Sequence, residues 1–351
     1  MEYRSLGNTG LKVSVISFGT MVVTDDPLQQ EKTNEHVKKA WDLGINYFDT
    51  SEYYGYGLGE IQLGVALKSL KVPREDIVVS TKIFLGSKIG DINCQKINSI
   101  GLSRKHIKEG VKNSLKRLQL DYADIVFCHR FDHETPFEEI ARAFTELIQA
   151  GVIHYWGTSE WSAANIFEMR EICAEKNLIK PCVEQPQYNM IARDRIESEY
   201  ARLFDKYRMG STVWSPLAQG ILAGKYNQGG VPESVRFEAQ NSFIFKRYWN
   251  NFFSPEKKDH LLNALGQLAD YAKELDMTQA QLAMCWVLTN KDVSTAITGC
   301  SRAEQLEETV KCVQMYKKLT PEVLLKLEKI LGNTPDQGIN YKTFTPLPTR
   351  R

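Results

Sequence analysis

Ile45-Asn46-Tyr47-Phe48-Asp49, Ile77-Val78-Val79-Ser80-Thr81-Lys82 and Ile125-Val126-Phe127-Cys128-His129 decide how this chain folds. Each is short, apolar and rich in β-branched or aromatic residues, which predicts a buried strand. Each also closes on a side chain that can hold or move a proton, and Tyr54 follows five places after Asp49. Singly, these residues have ordinary readings: a loop aromatic, a strand-end charge, a helix cap, a satisfied buried histidine. Their recurrence at equivalent strand ends does not. Where strands alternate with helices, the carboxyl ends of the strands share one face, and active sites sit there.

Outward from these strands the same rhythm continues. A hairpin is predicted at the start, Tyr3 to Leu6 and Leu11 to Val15 around Gly7-Asn8-Thr9-Gly10. Strands are predicted at Ile16–Thr20, Asn46–Asp49, Ile77–Lys82, Ile125–His129, His154–Ser159, Val183–Gln187, Thr212–Ser215 and Ser294–Thr298. Helical periodicity follows at Gln30–Leu43, Leu58–Leu70, Arg104–Leu118, Phe137–Ala150, Ala163–Asn177, Ile196–Tyr207, Leu261–Glu274, Gln279–Thr289, Ala303–Tyr316 and Pro321–Leu331. Eight strand–helix units predict a closed (β/α)8 TIM barrel, an α/β fold with an N-terminal β-hairpin and a long loop after strand 7, about Pro216 to Asp259. The competitor is a doubly wound sheet, which needs G-x-G-x-x-G after its first strand. Phe18-Gly19-Thr20-Met21 does not fit that pattern. One barrel domain is expected over residues 1–331, with polar Leu85 to Gly101 inserted on the active face and residues 332–351 as a flexible tail.

Composition narrows the partners. A net charge of +1 gives no electrostatic case for nucleic acid or an anionic membrane. The seven cysteines are odd in number and scattered, with no C-x-x-C pair, which argues for reduced thiols and against a disulfide framework or a zinc site. No stretch reaches the ~18 apolar residues of a membrane span, and no apolar leader follows Met1. A cytoplasmic, metal-free protein without membrane insertion is expected.

Tyrosine, lysine, aspartate and histidine at one mouth suit protonation of a carbonyl oxygen while a cofactor delivers hydride to the carbon. A phenol with a pKa near ~10 is a poor acid unless its anion is stabilised, and an adjacent ammonium does that. Asp49 keeps Lys82 charged and aimed, and His129 orients the substrate oxygen.

With these residues in place, the chain closely resembles the aldo-keto reductase superfamily, and within it the cytoplasmic β subunits of voltage-gated potassium channels and their reductase relatives. The resemblance spans roughly residues 3 to 331. It rests on Tyr3-Arg4-Ser5-Leu6-Gly7, Gly44-Ile45-Asn46-Tyr47-Phe48-Asp49-Thr50, Gly101-Leu102-Ser103-Arg104, Tyr155-Trp156-Gly157-Thr158-Ser159, Trp214-Ser215-Pro216-Leu217-Ala218 and Val231-Pro232-Glu233-Ser234. It implies NADPH/NADP+ bound in extended form, with Tyr54 as general acid and Asp49, Lys82 and His129 in support. Channel β subunits commonly carry asparagine where His129 stands, so a complete reductase set is implied here.

The resemblance also assigns cofactor contacts. Thr20 falls near the nicotinamide ribose, Asp49 is a further cofactor contact, and Ser159 and Gln185 hold the carboxamide, with Glu160 able to accept from its NH2. Trp214 lies beside a pyrophosphate run of Ser215, Pro216, Leu217, Ala218 and Gly220. Lys225 and Arg236 form a clamp and belt, and Gly299, Ser301, Arg302, Gln305 and Glu308 meet the adenosine and 2′-phosphate. Gly299-Cys300-Ser301-Arg302 precedes a predicted helix, where orphan N–H groups favour a phosphate. Two departures stand out: Glu160 where relatives have arginine or asparagine, and Thr309 where they often have asparagine. A small carbonyl substrate follows, as do a homotetramer or smaller assembly and, as the alternative, an auxiliary role with a channel or other protein partner. The pore-blocking N-terminal extension of some channel subunits is not expected. The pocket lining is expected to include Met21, Tyr54, Phe84, Trp161 and Tyr188.

Overall fold

The computed structural model describes residues 1–21, 29–87, 97–229 and 253–336. Parallel strands β3 (Ile16–Gly19), β4 (Tyr47–Asp49), β5 (Val78–Ile83), β6 (Ala123–Cys128), β7 (Ile153–Thr158), β8 (Val183–Glu184), β9 (Gly210–Trp214) and β10 (Thr295–Thr298) close into a barrel, β10 pairing with both β9 and β3. Helices α1 (Gln29–Asp42), α2 (Leu58–Leu70), α3 (Arg104–Leu118), α4 (Phe137–Gln149), α5 (Ala163–Glu175) and α6 (Ala201–Tyr207) surround it, followed by the helices Pro255–Glu274, Gln279–Thr289, Glu304–Met315 and Pro321–Leu331. The sequence-based barrel is therefore correct; of the long loop expected after its seventh strand, residues 230–252 lie outside the described residues, and the described parts include a 3-10 turn at Ala218–Ala223 and the start of the helix Pro255–Glu274.

Strand alternation sorts the core into two. Phe48, Val79, Ile83, Val126 and Cys128 point outward and pack under the helices. Their neighbours Tyr47, Val78, Ile125 and Phe127 point inward, where they meet Val183. The floor is closed by the hairpin β1 (Tyr3–Ser5) and β2 (Lys12–Ser14), which sends Leu6 and Val13 into this inner cluster. Continuing the same period-two alternation, Asp49, Ser80, Lys82 and His129 face the barrel interior above that apolar floor. The register sets Asp49 opposite Ser80, and Lys82 opposite Phe127 at the top of the apolar cluster.

Some boundaries move for local reasons. The strand expected at Val183–Gln187 stops at Glu184, because Pro186 has no N–H for the ladder; pairing resumes in an isolated bridge between Gln187 and Trp214. The helix expected at Ile196–Tyr207 opens as a π turn over Arg195–Glu199, the Tyr200 N–H reaching back to the Arg195 carbonyl at 2.7 Å. The helix expected at Leu261 starts at Pro255, with Ser254 before it and Pro at its first position, a start signal present in the sequence. Beyond Gly332, Asn333 donates to the Met190 carbonyl at 2.8 Å and Ser198 to the Asp336 carbonyl at 3.2 Å.

Candidate active site

Lys82 is completely buried, on the inward face of β5. Its Nζ donates to Asp49 Oδ2 at 2.5 Å and to the Thr50 carbonyl at 2.6 Å, and stands 4.8 Å from the centre of the Tyr54 ring. An ammonium has three N–H groups, so one remains for the Tyr54 side. Burial alone would drive Lys82 down, but Asp49 and Tyr54 outweigh it and the group is held above the usual lysine range. It is an ammonium at neutral pH.

Asp49 is anchored from behind. Its Oδ1 accepts from Ser80 Oγ at 2.6 Å and from Gln185 Nε2 at 3.1 Å, and Tyr47 OH donates to Ser80 Oγ at 2.9 Å. These partners are all buried, so the carboxylate exchanges lost water for directed donors. The sequence reading missed Ser80 and Tyr47, although both lie on the inward face of their strands, two residues before Lys82 and Asp49 respectively.

Tyr54 opens a tight 3-10 turn, Tyr54–Gly57, in which Gly55, Tyr56 and Gly57 all take positive φ (56°, 55° and 97°). Glycine tolerates this left-handed backbone at two of the three positions. Glu52, two residues earlier and buried, accepts the Phe84 and Gly86 N–H groups at 2.9 Å each and contacts His106 Nε2 at 3.1 Å. It thereby ties the Tyr54 turn to the chain leaving β5. Burial pushes the Tyr54 phenol above the usual tyrosine range; Lys82 pulls it down and Asp49 pushes it further up. Lysine therefore acts in the expected direction without setting the net shift, and the phenol is protonated at neutral pH.

His129 follows β6, its ring edge-on to Tyr54 with centroids 5.9 Å apart, and its Nδ1 lies 3.1 Å from Ser51 Oγ. Burial, with Lys82 and Arg130 adding to it, holds its pKa well below the usual histidine range. The imidazole is neutral and can orient an oxygen by hydrogen bonding. Asp49, Tyr54, Lys82 and His129 are thus brought together at one mouth.

The other singled-out residues spread around this mouth. Gln185 gives its two amide N–H groups to Asp49 Oδ1 and Thr212 Oγ1, the latter at 3.2 Å, which leaves Oε1 as an acceptor. Ser159 donates to the Gln185 carbonyl at 2.9 Å. Thr20 lies at the end of β3, its hydroxyl 2.8 Å from that of Thr50. Glu160 turns away from this group: in a left-handed conformation (φ 60°), its Oε1 accepts from the Gln187 N–H at 2.6 Å and from the Trp214 indole at 2.9 Å. Arg195 stands 3.6 Å from its other oxygen.

After Trp214 the chain winds through Ser215, Pro216, Leu217, Ala218, Gln219 and Gly220, with positive φ at Ser215, Ala218, Gln219 and Gly220. A Cβ at Gly220 would sit 3.4 Å from Lys225 Cδ, so that exposed lysine passes beside Gly220. At the far side, Gln305 Oε1 accepts the Ser301 N–H at 2.9 Å and shapes the Gly299–Arg302 turn, with Ser301, Arg302 and Glu308 exposed. Thr309 turns back onto the Gln305 carbonyl at 2.8 Å. Arg236 and Val231–Ser234 lie outside the described residues. Of the expected pocket aromatics, Trp161 and Tyr188 prove to be core: Trp161 packs on Phe131 and Phe137, and the Tyr188 hydroxyl donates to Glu197 at 2.8 Å.

Known proteins are similar to this chain over nearly its whole length. The model of the aldo/keto reductase family matches residues 15–331. A probable voltage-gated potassium channel subunit beta of Arabidopsis thaliana is 42% identical over 342 residues, covering 97% of this chain and 100% of that protein. A putative voltage-gated potassium channel subunit beta of Schizosaccharomyces pombe is 45% identical over 336 residues, 95% and 94% of the two chains. A probable voltage-gated potassium channel subunit beta of Oryza sativa subsp. japonica is 40% identical over 342 residues, 97% and 100% of the two. Among the described residues, no helix is long and apolar enough to cross a membrane.

Proposed function

Because the chain belongs to the aldo/keto reductase family, we propose that it reduces aldehydes and ketones to alcohols with NADPH, on a single barrel unit formed by residues 1–331. The observation that carries the reading is the buried Asp49–Lys82 pair set against Tyr54, with neutral His129 at its edge. The residues present also suit the cofactor. Gln185 Oε1 and Ser159 Oγ are acceptors at the mouth, complementary to a carboxamide NH2, because the protons of Gln185 and Ser159 are already committed elsewhere.

Bound nicotinamide supplies hydride to the substrate carbon. Tyr54 gives its phenolic proton to the carbonyl oxygen, and the Lys82 ammonium stabilises the phenolate left behind. His129 hydrogen-bonds the same oxygen and fixes its approach. Asp49, held by Ser80 and Gln185, keeps Lys82 charged and in place. Below the mouth the interior is closed by buried side chains, among them Tyr47, Val78, Ile125 and Phe127, so Tyr54 regains its proton from the mouth. The turns from Ser215 to Gly220, left-handed at Ser215, Ala218, Gln219 and Gly220 and with Lys225 beside Gly220, suit the pyrophosphate. Arg302 suits the 2′-phosphate.

Titrating the protein with NADPH and with NADH while following nucleotide fluorescence, then adding a panel of aldehydes, tests this. Tighter binding of NADPH and its oxidation on aldehyde addition are expected; no oxidation with any carbonyl would count against it.

A second reading is favoured by the names of the relatives: an NADP(H)-binding auxiliary subunit of a membrane channel, assembled as a homotetramer in the cytoplasm, with little turnover. The presence of His129 and of the whole proton-handling set favours the first. Rates in the range of ordinary enzymes, ~1–10³ s⁻¹, would decide for it.

A further inference from the structure

Ser51 is fully buried and lies two residues beyond Asp49. Its Oγ accepts the Tyr53 N–H at 3.2 Å and lies 3.1 Å from His129 Nδ1. A serine hydroxyl has one proton to give and two lone pairs to offer. The Tyr53 N–H takes one lone pair, and the other hydrogen-bond partner of this oxygen among the described residues is the His129 ring. A neutral imidazole carries its single proton on one nitrogen, and the partner of one nitrogen decides what the other presents.

We propose that Ser51 is a positioning residue: its hydroxyl donates to His129 Nδ1, holds the ring as the Nε2–H tautomer and so presents a donor to the substrate carbonyl oxygen. The opposite tautomer would have Nδ1–H donate to Ser51 Oγ. It would leave the serine proton without a partner in a buried site, which native structures rarely tolerate. It would also turn a bare lone pair of Nε2 toward the lone pairs of the carbonyl oxygen. Two donors, Tyr54 OH and His129 Nε2–H, then converge on one oxygen, and Ser51 touches neither substrate nor cofactor. The inference rests on the proposed role of His129 in carbonyl reduction, but the tautomer itself exists without substrate.

Long-range proton–nitrogen NMR on nitrogen-labelled protein tests it, with the His129 signals assigned by their loss in His129→Asn. The wild type is expected to show an unprotonated Nδ1 and a protonated Nε2. Ser51→Ala is expected to show a mixture of tautomers and a turnover number for aldehyde reduction lowered about threefold to tenfold, with the KM for NADPH unchanged. Ser51→Thr, which keeps the hydroxyl, is expected to recover the wild-type tautomer and rate. A proton on Nδ1 in the wild type would overturn the proposal, as would a Ser51→Ala ring spectrum identical to wild type. A loss of turnover without a change of tautomer would make Ser51 merely structural and overturn it equally. If the wild type reduces no carbonyl, the proposed reductase reading fails, while the ring spectrum still decides the tautomer.

Discussion

Lys82 Nζ lies 2.5 Å from Asp49 Oδ2 with both groups sealed from solvent, so each charge depends on the other. Removing one partner of a buried pair leaves the other uncompensated, which typically costs ~3–5 kcal/mol, whereas replacing both with neutral groups costs far less. Lys82→Met is therefore expected to lower the denaturant midpoint sharply as well as abolish turnover. Adding Asp49→Asn to it should recover much of the stability and none of the activity. A double mutant no more stable than Lys82→Met would show that the pair does not behave as one unit.

The directions of the two site shifts set a pH profile. His129 is held well below the ordinary histidine range and Tyr54 above the ordinary tyrosine range. Neither changes protonation between about pH 6.5 and pH 10, the window bounded by their unperturbed values. Aldehyde reduction at saturating NADPH should be flat across that window. An inflection near neutrality in wild type, lost in His129→Asn, would show that the imidazole titrates there.

Glu184 stands apart from the proton transfer but shapes stability. Burial pushes its carboxyl up to about 8; the hydrogen bond from Thr158 pulls it down and nearby Glu160 adds to the rise. Between its unfolded value near ~4.5 and about 8 the folded chain holds a proton that the unfolded chain has released. This contribution to stability is complete below the unfolded value and is lost as pH rises through the folded one. Melting temperature should therefore fall between pH 5 and pH 8.5 more in wild type than in Glu184→Gln, a difference on the order of 1–4 kcal/mol in free energy. Parallel pH dependences in the two proteins would contradict the buried protonated state.

Glu160 carries a contact that the sequence placed elsewhere. Its carboxylate fastens Trp214 and the Gln187 N–H, joining the turns after β7 and β8 to the end of β9. Glu160→Gln keeps an acceptor oxygen and should bind NADPH within about twofold of wild type. Glu160→Ala frees the indole and should weaken binding roughly fivefold to tenfold, the loss of about one hydrogen bond. Equal binding by both would leave the Trp214 contact without consequence for the cofactor.

The barrel and three of the four central residues were legible because short, unbroken apolar runs mark strands buried on both faces. The period-two alternation of a strand carries Asp49, Lys82 and His129 to the inward face, whereas Tyr54 lies in the turn beyond β4. Even the helix Leu58–Leu70 was readable to its bounds, although its close approach to α3 was not: a Cβ on Gly64 would sit 2.3 Å from the Leu118 carbonyl oxygen. What stayed hidden depends on contacts between segments far apart in sequence. Ser51 lies beyond the end of β4, where no periodicity aims its hydroxyl at His129, 78 residues on. Trp161 and Tyr188 looked like pocket aromatics because they follow strands β7 and β8, but hydrogen bonds and ring packing draw them into the core. The left-handed turns after Tyr54 and Trp214 include non-glycine residues such as Tyr56 and Ser215, whose identity gives no warning of positive φ.

The most direct test of the central claim is the rate at which purified wild type and Tyr54→Phe oxidise NADPH in the presence of an aldehyde, with nucleotide affinity measured on the same samples. The phenol is expected to account for a ~10²–10⁴-fold difference in turnover with NADPH affinity unchanged within about twofold. Equal turnover by the phenylalanine variant, with both proteins binding NADPH, would show that Tyr54 is not the proton donor.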